Sequence, residues 1–306
     1  MISFGYCTQI GIDSFTGFAT QPTKSRLNFL YLLRAGQGGY VVNSAALYYM
    51  RRRALAGPLI ERPACAPTTR LVDHADWQAH LRHLGIEELA VPQHPAGIAT
   101  DGAIWGAISA HGMLDGTAIV SDGAGQFAVG RHALCWVHAD RLVHKLETFT
   151  ATHRAAQARM RALIWWFYAD IKVYCAAPTA RRRSELRARF VRNFHRRTGI
   201  ATLDRLLVRL YANNAELLMA LDRPDIPLHT NGSERDVRCQ EINRKISGST
   251  KRDDGRDCRD AFLGMMYICK EFGFSFRDCL PDRVGGIIAL TIPALSDIIR
   301  SHVRAT

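Results

Sequence analysis

Apolar residues recur at spacings of three and four through the middle of the chain. Met160, Leu163, Ile164, Phe167, Ile171 and Tyr174 fall on one side of a helix of about five or six turns. After Pro178, Leu186, Phe190 and Phe194 form a second stripe, with Arg183, Arg187, Arg192 and Arg196 on the opposite face. Leu203, Leu206, Leu207 and Leu210 begin a third, which Leu217 and Leu218 extend toward Pro224. Three consecutive helices are predicted here.

The flanking stretches mix strand and helix signals. FGYCTQIGIDSFTGFAT predicts two short strands joined by a turn, and Ser25 to Arg34 a short helix with Leu27, Leu30 and Leu33 at spacing three. Tyr40 to Val42 reads as a strand, followed by Asn43 or Ser44 as a cap. The helix it opens runs to about Leu55, with Leu47, Met50 and Ala54 inward, and Gly57 and Pro58 stop it. Pro63 to Thr69 reads as a loop and Asp76 to Leu84 as a helix ending at Gly85. Ala103 to Ala110 and Thr117 to Val120 are strand candidates, the second running into Ser121, Asp122 and Gly123. After Pro227, LHTNGSERDVR places Asn231 as a cap with Glu234 in capping-box position. INRKISGSTKRDDGRDCRD reads as a flexible basic loop, and Ala261 to Lys270 as a buried helix with Phe262, Met265, Met266 and Cys269 on one side. The class is α/β, with the three helices as an insertion.

The 306 residues suffice for one large domain or two ordinary ones. Charge changes the picture more than size does. The net charge is +12, and residues 141–209 hold 16 Arg or Lys against four Asp or Glu, so the rest of the chain carries 24 of each sign. A field concentrated in one block suits a polyanion or acidic surface, and equally a solvated Arg-rich helical face. Eight scattered cysteines without a CxxC pair fit free thiols in a reducing compartment. Residues 1–20 lack the pattern of a secretory signal, and the apolar run from Gly285 to Leu295 is too short to span a bilayer. A soluble cytoplasmic chain is expected.

Asp122 stands at the carboxyl end of a predicted strand, where open α/β sheets gather ligand and metal groups. A turn residue bonding its own backbone is the other reading of Ser-Asp-Gly. No Gly-rich phosphate loop, HExxH or GxSxG motif is present. Cys135 and His138 form a CxxH pair without a matching second pair, which favours a packed Cys and a hydrogen-bonded His over zinc.

The segments YVVNSAALYYM, AIVSDGAGQF, ALCWVHADRLVHKL, LIWWFYADIK, LHTNGSERDVR and GRDCRDAFLGMM together resemble transposases of the insertion sequence 66 family. That resemblance implies a DDE-type enzyme with an RNase H-like mixed sheet, in which two Asp and one Glu surround Mg²⁺, or Mn²⁺ as a substitute. It makes Asp122 the second acid and Glu234, within the Asn231-Gly232-Ser233-Glu234-Arg235 element, the third; 111 residues holding the helical insertion lie between them. It gives Cys135, Trp136, His138 and Asn231 supporting roles. Candidate DNA contacts are Arg141, Lys145, Arg181, Arg182, Arg183, Arg235, Arg238, Lys245, Lys251 and Arg252. The implied division is 1–141 as the first part of the core, 142–226 as the basic insertion, and 227–306 as the part carrying the Glu helix.

In one respect the sequence departs from the family pattern. Relatives place the first catalytic Asp upstream of the segment matching FGYCTQIG, and neither Asp13 nor Asp101 stands in that setting. An N-terminally truncated form is therefore expected. Two metal ions about 3.5 to 4 Å apart need several anionic ligands in register, so Asp122 and Glu234 alone imply a weak or single-metal site. The implied partners are double-stranded DNA, as element ends and target, and a further copy or an intact transposase, with no membrane. The implied reaction is strand cleavage and strand transfer. The alternative is a non-catalytic DNA-binding or assembly protein derived from such an enzyme.

Overall fold

A computed structural model describes residues 4–9, 16–21, 23–66, 69–87, 94–247, 252–284 and 297. In chain order the elements are β1 (Phe4–Gln9), β2 (Thr16–Gln21), α1 (Arg26–Leu33), β3 (Tyr40–Val41), α2 (Ser44–Arg52), α3 (Gly57–Ala64), β4 (Arg70–Leu71), α4 (His74–His83) and α5 (Pro95–Ala110). They continue with β5 (Ile119–Ser121), β6 (His132–Leu134), α6 (Trp136–His144), α7 (Ala151–Ala176), α8 (Ala180–Phe194), α9 (Ala201–Ala212) and α10 (Asn214–Leu217). Last come α11 (Asn231–Ser247), α12 (Asp253–Glu271) and α13 (Phe276–Val284). The protein is mostly helical, with three two-stranded sheets among the described residues, which is compatible with an α/β class. Its contacts separate into two units, Ser25–Thr230 and the stretches on either side of it.

Within the flanking unit, β1 and β2 pair antiparallel from Phe4 opposite Gln21 to Gln9 opposite Thr16, as the predicted hairpin requires. α11 lies against β1 and α12 against β2. Buried Asp260 on α12 accepts from the Thr20 amide and, at 3.0 Å, from its hydroxyl, while Phe18 meets Tyr267 edge-on. The predicted inward set on this helix is corrected in part: Cys269 is buried as expected, but Phe262 and Met266 are 38% and 37% exposed, and Asp260 and Leu263 are buried in their place. The predicted basic loop is corrected too, since Ile242 to Ser247 completes α11 and Asp253 onward forms α12; residues 248–251 lie outside the described ones. Ile246 is 81% exposed and offers no apolar stripe to reveal a helix, but Asp253 and Asp254 occupy the favourable first turn of α12. The Gly285 to Leu295 run also lies outside the described residues.

In the larger unit, one core gathers α1, α2, α4 and α5 around Leu30, Met50, Trp77 and Ile104. Ser25, Asn43 and Asp73 each cap a helix through a side-chain oxygen. Three expectations fail here. Ala54 takes a positive φ of 54° just after α2 and is exposed, so that helix ends before Gly57. Gly57 and Pro58 open α3 rather than stopping α2, and Pro63 sits inside α3. The strand expected at Ala103 to Ala110 is the second half of the 16-residue α5. Its small and apolar residues are buried on nearly every side, so periodicity could not separate it from a buried strand. Gly106 explains the close packing: a Cβ there would lie 2.1 Å from the Val41 carbonyl.

The second core of this unit holds the helices that the stripes predicted. Met160, Ile164, Phe167, Ile171 and Tyr174 on α7 are buried, as are Leu186, Phe190 and Phe194 on α8 and Leu203, Leu206, Leu207 and Leu210 on α9. Thr150 and Thr179 cap α7 and α8 by accepting from His153 N and Arg182 N. Trp136 is 1% exposed, stands among Phe167, Phe190 and Phe194, and donates its indole N–H to Leu217 O at 3.0 Å. Gln157 on α7 donates to the Val143 and Leu146 carbonyls at 2.9 Å, closing the end of α6.

Candidate functional site

β5 and β6 are parallel, with Ile119 opposite His132 and Ser121 opposite Leu134. Asp122 follows β5 directly and is exposed, at the strand-end position the sequence predicts. Its Oδ1 accepts from Ala124 N at 2.9 Å, so the turn reading is realised as well. Gly123, at φ +86°, lets the chain reverse there, and a Cβ on it would approach Leu134 to 3.0 Å. Behind the turn, the Ser121 hydroxyl accepts from Gly123 N at 3.1 Å and meets His132 Nε2 at 2.7 Å. The carboxylate is thus presented on a braced turn.

His132 is 8% exposed, and its imidazole is brought down to about 4, first by burial and then by the positive charges of Arg52 and Arg53, against the opposing pull of Asp122. A ring neutral in the fold but protonated at about 6.5 when unfolded leaves stability intact above that pH. As pH falls from 6.5 to 4 the unfolded chain gains the proton first, and stability should drop by about 2 to 3 kcal/mol. Urea midpoints at pH 7 and pH 4.5 should show that drop in the wild type and a flatter response in His132→Gln. An equal drop in both proteins would assign the acid sensitivity elsewhere.

Cys135 extends the β5–β6 ladder through its amide to Ser121 O at 2.9 Å, then caps α6. Burial pushes its thiol up, but hydrogen bonds with His138 and Thr230 outweigh this and hold it below the usual range. His138 Nε2 also meets Arg141 Nη1 at 3.2 Å. The CxxH pair is therefore packed and hydrogen-bonded, and Trp136 serves the core. Among the described residues no three His, Cys, Asp or Glu converge to hold a metal ion. Mg²⁺ also binds through one or two carboxylates with waters and substrate phosphates completing its shell, a mode that an exposed Asp122 fits.

The remaining candidates are dispersed. Asn231 opens α11, and half-buried Glu234 lies in its first turn, while Arg235, Arg238 and Lys245 on the same helix are exposed. These belong to the flanking unit, and Asp122 to the larger one. Arg252 pairs with Asp254 at 3.2 Å, and Lys251 lies outside the described residues. Arg141 and Lys145 are exposed at the end of α6. Arg181, Arg182 and Arg183 each pair with an acid, namely Glu185, Asp170 and Asp222. Asp101, the unpromoted acid, is engaged by Tyr49 OH at 3.1 Å, and Asp13 lies outside the described residues. The structure adds a cleft of about 560 Å³ lined by Tyr48, Arg52, Trp105, Arg131, His132 and Glu216. Scattered along the chain, these residues give no sequence signal. Among the described residues no helix is long and apolar enough to cross a membrane.

Residues 110–257 match the family model described as Transposase IS66 family. A relative in Sinorhizobium fredii, an uncharacterized protein called y4jO, is 44% identical over 280 residues, which cover 92% of this chain and 87% of that protein. No solved structure matches. With the stretch from before β5 through α11 inside the matched region and a relative alike over nearly its full length, the chain belongs to the IS66 family of transposases.

Proposed function

We propose that the protein acts on duplex DNA in transposition, by metal-dependent strand cleavage and strand transfer at insertion-element ends. In this reading the strands belong to an RNase H-like arrangement, with 1–141 and 227–306 as core and 142–226 as basic insertion. Asp122 and Glu234 would hold Mg²⁺ or Mn²⁺, which when bound supplies charge stabilisation at phosphorus and an activated oxygen nucleophile. Exposed Asp122 on its braced turn at the end of β5, inside the family-matched region, carries the reading. The Ala124 amide orients that carboxylate on a turn that Ser121 and Gly123 brace, and Arg235, Arg238 and Lys245 would neutralise phosphates.

The test is cleavage of a duplex bearing element ends, with Mg²⁺ or Mn²⁺. Asp122→Asn and Glu234→Gln should each lower cleavage by about a hundredfold or more. Activity equal in wild type and both variants would remove these acids from the chemistry. A second reading is a non-catalytic DNA-binding or assembly protein, which the exposed arginines and lysines would serve equally. Retained duplex binding without cleavage by the wild type would select it.

A further inference from the structure

From α8 onward, the arginines of the basic block divide into two groups. Along α8, Arg181 pairs with Glu185 at 2.9 Å, Arg182 with Asp170 at 2.9 Å, Arg183 and Arg187 with Asp222 at 3.6 and 2.6 Å, and Arg189 with Asp170. At the corner between α8 and α9, Arg192, Arg196, Arg197, Arg205 and Arg209 are all exposed and make no salt bridge among the described residues, although the charge of Arg197 acts on Asp204. Arg205 Nε reaches only the Ala201 carbonyl of its own helix, at 3.3 Å. The acid on this surface, Asp204, has its Oδ1 taken by Thr198 N and Oγ1, both at 2.7 Å. Arg197 and Arg205 line one shallow concavity with Gly199, Asp204 and Val208.

We propose that this corner docks the phosphate backbone of duplex DNA; the proposal rests on the DNA reading above and assigns a contact surface separate from Asp122. Arg197 and Arg205 share this concavity with one acid already bonded to Thr198. With Arg192, Arg196 and Arg209 exposed on the adjoining segments, the local charge is strongly positive, which a polyanion offsets. Guanidinium forks suit phosphate oxygens. Val191 and Val208 are exposed on the same helices, and His195 is packed against Tyr211. The concavity itself is lined by charged, small and aliphatic residues, which fits a phosphate backbone.

Anisotropy of a labelled duplex of about 30 base pairs, titrated with full-length protein in EDTA across a salt series, tests this. Arg196→Ala/Arg197→Ala/Arg205→Ala should weaken binding about tenfold or more near 100 mM salt and flatten the log affinity against log salt slope by about 2 to 3. Arg70→Ala/Arg82→Ala, which removes two exposed cations from the elements around the other core, should leave the slope within about 0.5 of wild type. Circular dichroism checks that both variants fold. An unchanged slope in the triple variant, an equal loss in the control, or no duplex binding by the wild type overturns the proposal. Displacement by polyglutamate as effective as by unlabelled duplex overturns it in favour of an acidic protein surface. Because metal is absent, a cleavage defect in Asp122→Asn at unchanged slope bears on the catalytic reading alone.

Discussion

Trp136→Ala should destabilise the larger unit by about 5 kcal/mol. Truncating a fully buried indole costs about 3 to 5 kcal/mol, because the lining of Phe167, Phe190 and Phe194 cannot close the space. The Leu217 carbonyl also loses its buried donor, which adds about 1 to 3 kcal/mol. Against typical domain stabilities of about 5 to 15 kcal/mol, many molecules would be unfolded at 37 °C. Trp136→Phe keeps most of the volume and loses the donor, so it should cost about 1 to 3 kcal/mol. Urea denaturation followed by far-ultraviolet circular dichroism measures both. Equal losses in the two variants would mean that the carbonyl bond, not the packing, dominates.

Gly106→Ala is the second large effect, and its sign runs against helix propensity. In an exposed helix interior the change would gain about 1 kcal/mol. Here the new methyl would sit 2.1 Å from Val41 O and 3.0 Å from Ala46 Cβ and Asn43 Oδ1, so α5 must move off α2 and β3. The expected cost is about 3 kcal/mol or more, at the upper end for overpacking. Gly97→Ala in the same helix meets nothing nearer than His94 Cβ at 3.9 Å and should be neutral or stabilising. Thermal melts of the two variants separate the causes: an upward shift in both would leave propensity as the explanation.

The helices legible in the sequence are those with one apolar face. The α7 and α8 stripes were readable because Ile164, Phe167, Ile171, Phe190 and Phe194 meet one core while the opposite faces meet water. α5 was not, because its glycines and alanines are apolar on all sides and only the tertiary approach at Gly106 explains them. The join from α11 to α12 was missed for the opposite reason, since charged residues such as Arg252 and Asp254 there pair with each other and leave no periodic signal. At the candidate site, Asp122 was legible from strand-then-turn chemistry, and the structure adds the Ser121 and His132 bracing. The Thr230 contact to Cys135 joins segments far apart in sequence, as do the acids that engage Arg182 and Arg183, so no local pattern could show them.

Asn43 performs two tasks with one side chain. Its oxygen accepts from Ala46 N to start α2, and its amide nitrogen donates to Gly106 O at 2.9 Å. Because the cap fixes the rotamer of Asn43, the amide nitrogen reaches the Gly106 carbonyl at only one placement of α2 along α5. A substitution at 43 therefore strikes two elements at once, 63 residues apart: α2 loses its cap, and the Gly106 carbonyl loses its side-chain donor.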